Sequence, residues 1–297
     1  MGFLVVGEAL VDLISRGGSW SFEAKPGGSP LNVAVGLAAD DHRVRFATEL
    51  GDDLFGGLLR EHLEKYGVAA TDLVTSAVPT SVAFARVDES GGAQYDFRFG
   101  WAYPERPDLD GVACLHTGSL ATAVQPGADA VLALIGAARR GGTLVSYDPN
   151  IRPALVGDRE TALARVERIV RTADIVKVSD EDLAWLLPGE PDETIARRWA
   201  AHGPRLVVVT RGGRGALGVH EDRLIDCPAP RVRVADTVGA GDAFTTGLLS
   251  SLARAEWSFA PVAVEAAMRY AAATAAAVCA RPGALPPPRD AVTALLS

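Results

Sequence analysis

Short apolar runs recur along this chain, and most of them end in glycine or a polar residue. Phe3-Leu4-Val5-Val6-Gly7 is the first. Uninterrupted runs of this kind predict parallel strands buried on both faces. The same pattern predicts strands over 44–48, 115–117, 144–147, 175–178 and 206–210. Stretches with helical spacing lie between them, over 31–39, 51–66, 126–140, 159–172, 180–187 and 192–202. Alternating strands and helices imply a mostly parallel sheet with helices on both faces. In such sheets ligands bind at the carboxyl ends of the strands. Polar residues collect there: Asp148, Asn150 and Arg152, then Ser179 and Asp182, then Thr210 and Gly212.

Two segments break the rhythm. Residues 11–14 and 20–24 alternate around Arg16-Gly17-Gly18-Ser19, and 81–87 and 94–99 flank the glycine-containing stretch 88–92. Both read as hairpins. Two hairpins inserted in a β/α chain predict a small sheet standing off the main one, over about 10–26 and 80–100 of a single domain spanning 1–297. Between them, Lys25-Pro26-Gly27-Gly28-Ser29-Pro30 reads as a turn feeding a helix, with Asn32 in its first turn.

The stretch Asp236-Thr237-Val238-Gly239-Ala240-Gly241-Asp242-Ala243-Phe244 carries the chemistry. Val232 and Val234 suggest a strand running into it, and Ala243 onward reads as a helix leaving it. Glycines let the backbone approach a ligand closely. The first amides of a helix lack intrahelical partners and, with the helix dipole, favour an anion. Asp242 would stand at the mouth of that anion site, where a carboxylate repels phosphate. One reading is a general base for a hydroxyl attacking a phosphoryl group. The other is a helix N-cap, for which Asp is favoured. The local sequence leaves both open.

Composition narrows the setting. The chain has 297 residues, 48% of them hydrophobic, enough for a full core. Its formal net charge is −8, which disfavours nucleic acid as a partner. Phosphate must then be held by local geometry, and no P-loop sequence is present. Three scattered cysteines and five histidines form no disulfide or metal spacing. The N-terminus lacks a basic signal region, and the apolar tract 270–280 is shorter than the roughly 20 residues that span a bilayer. A soluble, cytoplasmic protein without a membrane partner is expected.

Several stretches together resemble the ribokinase-like carbohydrate kinases, most closely the fructokinase branch. The stretch 236–244 resembles that family's C-terminal signature, and Gly27-Gly28-Ser29-Pro30-Leu31-Asn32 opens a stretch similar to its N-terminal one. Ser146-Tyr147-Asp148-Pro149-Asn150-Ile151-Arg152 and Lys177-Val178-Ser179-Asp180-Glu181-Asp182 resemble fructokinase segments, and the match runs in order from about 6 to 284. The resemblance implies a ribokinase-like α/β fold with a β-sheet lid, ATP as donor, Mg²⁺ and a sugar hydroxyl as acceptor. It implies Asp242 as base and Gly239, Ala240 and Gly241 as anion hole. Asp12, Gly27, Gly28 and Asn32 would bind sugar, with Arg98 and Arg152 on sugar or phosphate. Lys177, Ser179, Thr210, Gly212, Gly215 and Gly241 would line the nucleotide. Asp182 would meet Mg²⁺ through water, while Asp236 and Gly283 would shape a site for a monovalent cation such as K⁺. D-fructose, phosphorylated at its terminal primary hydroxyl, is the first acceptor. Open alternatives are 2-keto-3-deoxygluconate, ribose, or a non-catalytic sugar or nucleotide sensor on the same fold. A homodimer through the lid is the expected assembly if one forms.

Overall fold

The structure, a computed structural model, describes residues 2–15, 17, 19–87, 93–103 and 106–296. The stretch 88–92 and parts of the first hairpin turn, Arg16 and Gly18, lie outside the described residues. Among the described residues the elements run β1 (Gly2–Val6), β2 (Leu10–Ser15), β3 (Glu23–Gly27), α1 (Ser29–Ala39), β4 (Val44–Gly51), α2 (Leu54–Lys65), β5 (Leu73–Ser76), β6 (Val82–Val87) and β7 (Ala93–Arg98). They continue with β8 (Val112–Gly118), α3 (Gly127–Arg140), β9 (Leu144–Asp148), α4 (Pro153–Val156), α5 (Arg159–Val170), β10 (Ile175–Ser179), α6 (Asp180–Leu186), α7 (Asp192–Ala200) and β11 (Leu206–Thr210). The chain closes with β12 (Ala216–His220), β13 (Arg223–Cys227), α8 (Ala240–Arg254), α9 (Pro261–Cys279) and α10 (Arg289–Thr293).

The main sheet has nine strands in the order β13-β12-β11-β10-β9-β8-β1-β4-β5. It is parallel from β11 to β5, and β12 and β13 extend it antiparallel. Successive strand residues alternate between two cores. Phe3 and Val5 join Leu206 and Val208 on the α1, α8 and α9 side, while Leu4, Val6, Val207 and Val209 face α3, α5 and α7. Burial on both faces is why these strands read as unbroken apolar runs.

The two hairpins do form a separate sheet, in the order β3-β2-β6-β7. They are joined by a parallel pairing of β2 with β6. The first hairpin differs from expectation: its second strand starts at Glu23 and takes in Lys25-Pro26-Gly27, which the sequence suggested as a turn. β3 is an edge strand, so the missing N–H of Pro26 breaks no ladder. No strand forms over 232–234. That segment pairs with no sheet and is held instead by Ala235 N–H donating to Cys279 O at 2.8 Å. The short strands β5, β12 and β13 were not foreseen.

α9 has 19 residues and is long and apolar enough to cross a membrane by length and composition, longer than the tract 270–280 suggested. Here it is a core helix: Val264, Ala267, Met268 and Ala271 are buried in the core shared with Leu248 and Leu252 of α8.

One carboxylate links the base of the lid to the core. Asp53 caps α2, its Oδ1 accepting from Gly56 N–H at 2.8 Å, and its Oδ2 accepts from Thr80 N–H at 2.7 Å just before β6. Asp53→Ala removes both acceptors and should cost about 1–2 kcal/mol. The loss is read as a lowered Tm, and an unchanged Tm would refute the linkage.

Candidate active site

Two helices begin at the same point in space. α1 starts after Gly28, whose φ of 108° and close approach to Glu8 O (2.7 Å from where a Cβ would lie) both require glycine. α8 starts at Gly239, with φ 78° and no room for a Cβ beside Ala284. Asp242 lies in the first turn of α8, and its side chain does not cap that helix. Its Oδ1 accepts from Ser29 Oγ at 2.6 Å and its Oδ2 from Asn32 Nδ2 at 2.8 Å, both on α1. The N-cap reading therefore fails. Burial pushes the Asp242 carboxyl above its ordinary value, against the two hydrogen bonds that favour its anion.

The amides of the turn divide. Ala240 N–H donates inward to Thr237 O at 3.2 Å, so it leaves the expected anion hole. The N–H groups of Gly239, Gly241 and Asp242 have no partner among the described residues. Three donors at a helix start, carrying roughly half an elementary charge of dipole, form the cradle.

Asp12 projects from β2, and Gly27 on the paired strand β3 leaves space for it. A Cβ at Gly27 would lie 2.2 Å from Asp12 Oδ2. Burial raises the Asp12 carboxyl to about 6; the Arg152 guanidinium opposes this and the Asp242 charge adds to it. Those three groups therefore share one field. Arg152 sits exposed at the start of α4, its Nη1 donating to Ile151 O.

The strand ends supply the floor. Asp148 Oδ2 takes Lys177 Nζ at 2.9 Å, and both side chains are buried. Asp182 Oδ1 accepts from Ile151 N–H at 2.9 Å, and Ser179 caps α6 through Asp182 N–H. Burial and then the Asp148 charge push the Asp182 carboxyl up. Among the described residues no group of three His, Cys, Asp or Glu side chains could hold a metal alone. One or two carboxylates nonetheless suit Mg²⁺, which keeps waters and substrate phosphates as its main ligands. Asp182 fits that supporting place. Thr210, Gly212 and Gly215 follow at the end of β11, where Gly215 turns the chain with φ 93°. Asp236 and Gly283 do meet: Gly283 N–H donates to Asp236 Oδ2 at 3.0 Å, and Val238 N–H to Oδ1.

Comparison with known proteins decides the lineage. The pfkB family carbohydrate kinase pattern matches residues 3–291. This chain belongs to the pfkB family of carbohydrate kinases. A fructokinase from Rhizobium leguminosarum bv. trifolii is 38% identical over 260 residues, covering 84% of this chain and 79% of its own. A fructokinase with bound ATP from Xylella fastidiosa superposes with TM-score 0.89 at 27% identity, covering 99% of this chain and 98% of its own. A double mutant of the Vibrio cholerae O395 fructokinase, in a form binding fructose, ADP and potassium ion, gives TM-score 0.87 at 30% identity with the same coverage. The main sheet flanked by helices and the small lid sheet of this kinase are thus the ribokinase-like fold.

The fold of this kinase brings Asp12, Gly27, Gly28, Asn32, Arg152, Asp242 and the 239–241 turn to one end of the sheet. One residue lands elsewhere. Arg98 pairs in register with Val82, whereas Asp12 pairs with Ala83 and through it Phe97, so Arg98 lies on the opposite face of the lid. There it is exposed and bonded to Asp96 at 2.6 Å. Lys177, expected along the nucleotide, is 5% exposed and bonded to Asp148, and its Nζ lies 3.0 Å from where a Cβ on Gly241 would be. Ser29 was missed as a partner of Asp242, because Gly-Ser-Pro reads as turn chemistry. Glu49 accepts from Ala102 N–H and ties the segment after β7 to β4.

Gly239→Ala tests the turn. A left-handed φ and the contact with Ala284 together should cost about 1–3 kcal/mol and displace the cradle. Lowered Tm and weakened binding of ATP are expected; wild-type values for both would contradict the assigned geometry.

Proposed function

We propose that this kinase transfers the γ-phosphoryl group of ATP to the terminal primary hydroxyl of D-fructose, giving fructose 6-phosphate and ADP. The observation that carries the reading is Asp242, held by Ser29 and Asn32 of one helix start at the rim of the amide cradle of another. The fructokinases that this chain resembles over most of its length support the acceptor.

A sugar hydroxyl is a poor nucleophile until its proton is accepted. Asp242 takes that proton as the hydroxyl oxygen forms the new P–O bond, and the bond to ADP breaks with its electron pair leaving on ADP. Such a base contributes typically about 10²–10⁴-fold. The N–H groups of Gly239, Gly241 and Asp242 face the charge that gathers on the moving phosphoryl oxygens. Asp12 and Asn32 orient the sugar hydroxyls, and Arg152 brings a cation to the shared field. Mg²⁺, supported from Asp182 through water, would neutralise the β- and γ-phosphates. The lid face that carries Asp12 also carries Tyr95 and Phe97, whose rings stack with centroids 6.4 Å apart. An aromatic cover of this kind limits the water that competes as acceptor. The other lid face, with Trp20 76% exposed, supports pairing of two copies through their lids.

Purified protein with ATP, Mg²⁺ and a panel of fructose, ribose, 2-keto-3-deoxygluconate and nucleosides tests the reading. Fructose should give the highest kcat/KM, and a higher value for another acceptor would replace it. Asp242→Asn should lower kcat by about 10²–10⁴-fold with little change in Tm. A base must be ionised, and burial raises its pKa. Activity should therefore fall as pH drops through that raised value, at a higher pH than an ordinary carboxylate would give. Asp12 adds its own limb: fructose KM should rise as pH falls through about 6, and Asp12→Asn should abolish that limb. A flat KM profile in the parent would remove Asp12 from the sugar site.

A further inference from the structure

Glu8 is a buried acid that the reaction as described does not use. It stands between β1 of the main sheet and β2 of the lid, and it is 2% exposed. Its main chain and side chain touch different parts of the acceptor end. Glu8 O packs against Gly28 at the start of α1. Its Oε2 accepts from Ala121 N–H at 2.9 Å, in the turn 119–122 that follows β8. The Ser119 hydroxyl and the Leu120 amide of that turn also donate to the carboxylate. Ser119 Oγ in turn accepts from Asn150 Nδ2, a long contact at 3.5 Å. A line of donors therefore runs from Asn150, just past β9, through Ser119 to a buried anion. Ser119 and Asn150 both have left-handed backbones, with φ 52° and 40°. Such conformations are uncommon outside glycine and persist where the surroundings fix them. Charge-assisted hydrogen bonds to Glu8 do the fixing here.

We infer that Glu8 is a positioning residue for the acceptor: its buried carboxylate sets the direction of the Ser119 hydroxyl and, through it, turns the side-chain carbonyl of Asn150 toward a hydroxyl of the sugar. This rests on reading this end of the sheet as the acceptor site. An ionised carboxylate only accepts, so the Ser119 hydroxyl points its hydrogen at Glu8. Ser119 Oγ then has only lone pairs left for Asn150, and the amide turns its NH₂ group inward. Oδ1 is left outward, where it accepts no hydrogen bond among the described residues. Asn150 is half-buried and two residues before Arg152. A carbonyl there accepts from an alcohol and gives nothing to a carboxylate or phosphate oxygen. The group it favours is a neutral polyol hydroxyl. Burial pushes the Glu8 carboxyl up to about 7, against its hydrogen bonds. The titratable and charged groups around it are Glu49 on β4, which lines the same small cavity, Asp12 further along β2, and Asp148 and Arg152 on either side of Asn150. The turn 119–122 and the first residues of α1 carry no charge. Below about 7 the protonated acid can donate to Ser119, and the line of donors can reverse.

The alternative is that Glu8 only fastens the turn 119–122. Steady-state kinetics on Glu8→Gln, Ser119→Ala, Asn150→Gly and the double variant of Glu8→Gln with Asn150→Gly separate the two. Gln keeps the size of Glu8, but its NH₂ group can donate to Ser119. Gly at 150 keeps the left-handed backbone. Each single variant should raise fructose KM at least about 10-fold, while calorimetry with Mg²⁺ and a non-hydrolysable ATP analogue stays within about 3-fold of the parent. The double variant should lie within about 3-fold of the worse single one, because both changes break the same line. In the parent, fructose KM should rise as pH falls through about 7, and Glu8→Gln should abolish that limb while keeping the one Asp12 gives at about 6. A Glu8→Gln protein with fructose KM within about 3-fold of the parent would overturn the proposal. So would single effects that multiply in the double variant, or a limb at about 7 that survives Glu8→Gln. If Glu8→Gln does not fold, parent-like KM in either Ser119→Ala or Asn150→Gly overturns the proposal, and raised KM in both upholds it. No turnover with any acceptor overturns the functional reading and this proposal with it. Turnover in the parent matched by Glu8→Gln overturns this proposal alone.

Discussion

The structure depends on two helix starts meeting at one carboxylate. α1 and α8 are more than 200 residues apart in sequence, yet Ser29 and Asn32 of the first bond both oxygens of Asp242 on the second. Each helix is launched by a glycine whose φ is positive. Two helix dipoles and their unpartnered amides offset part of the cost of holding an acid in a recessed place. Burial still leaves the acid more basic than a free carboxylate, which is what a proton acceptor at neutral pH needs.

From that junction the rest of the site follows in layers. The sheet beneath delivers Asp148, Lys177 and Asp182 at the carboxyl ends of β9, β10 and the start of α6, where a parallel sheet opens its binding crevice. The lid above delivers Asp12 on one face of β2, and Gly27 opposite makes room for it. Charges are arranged so that the carboxylates crowd one another and few cations answer them. Such crowding disfavours stability and favours function, because it keeps acids reactive where phosphate and Mg²⁺ will arrive. Asp53, tying the α2 cap to the entry of β6, anchors the lid to this scaffold without entering the chemistry.

Much of this was legible in the sequence, for identifiable reasons. The buried parallel strands announce themselves as apolar runs, since both faces are covered. The two signatures stand out because glycine pairs before a helix have a narrow physical use. What the sequence hid depends on long-range register. Arg98 lies on the far face of the lid only because β2 pairs with β6 in parallel, a contact no local pattern encodes. The antiparallel strands β12 and β13 at one end of the sheet are short, and Gly218 and charged Arg223 and Asp226 dilute their pattern. Ser29 hides inside a sequence that also fits a turn. Lys177 did leave a trace: a lysine between Val176 and Val178 in an apolar strand must find a partner, and Asp148 is that partner.

A crystal structure with fructose, ADP, Mg²⁺ and a planar aluminium fluoride mimic of the transferring group tests the central claim most directly. The account places the primary hydroxyl of the sugar about 2.6–3.2 Å from an Asp242 oxygen. It places fluorides at hydrogen-bond distance from the amides of Gly239, Gly241 and Asp242. A hydroxyl beyond reach of Asp242, with that carboxylate still bonded only to Ser29 and Asn32, would contradict it.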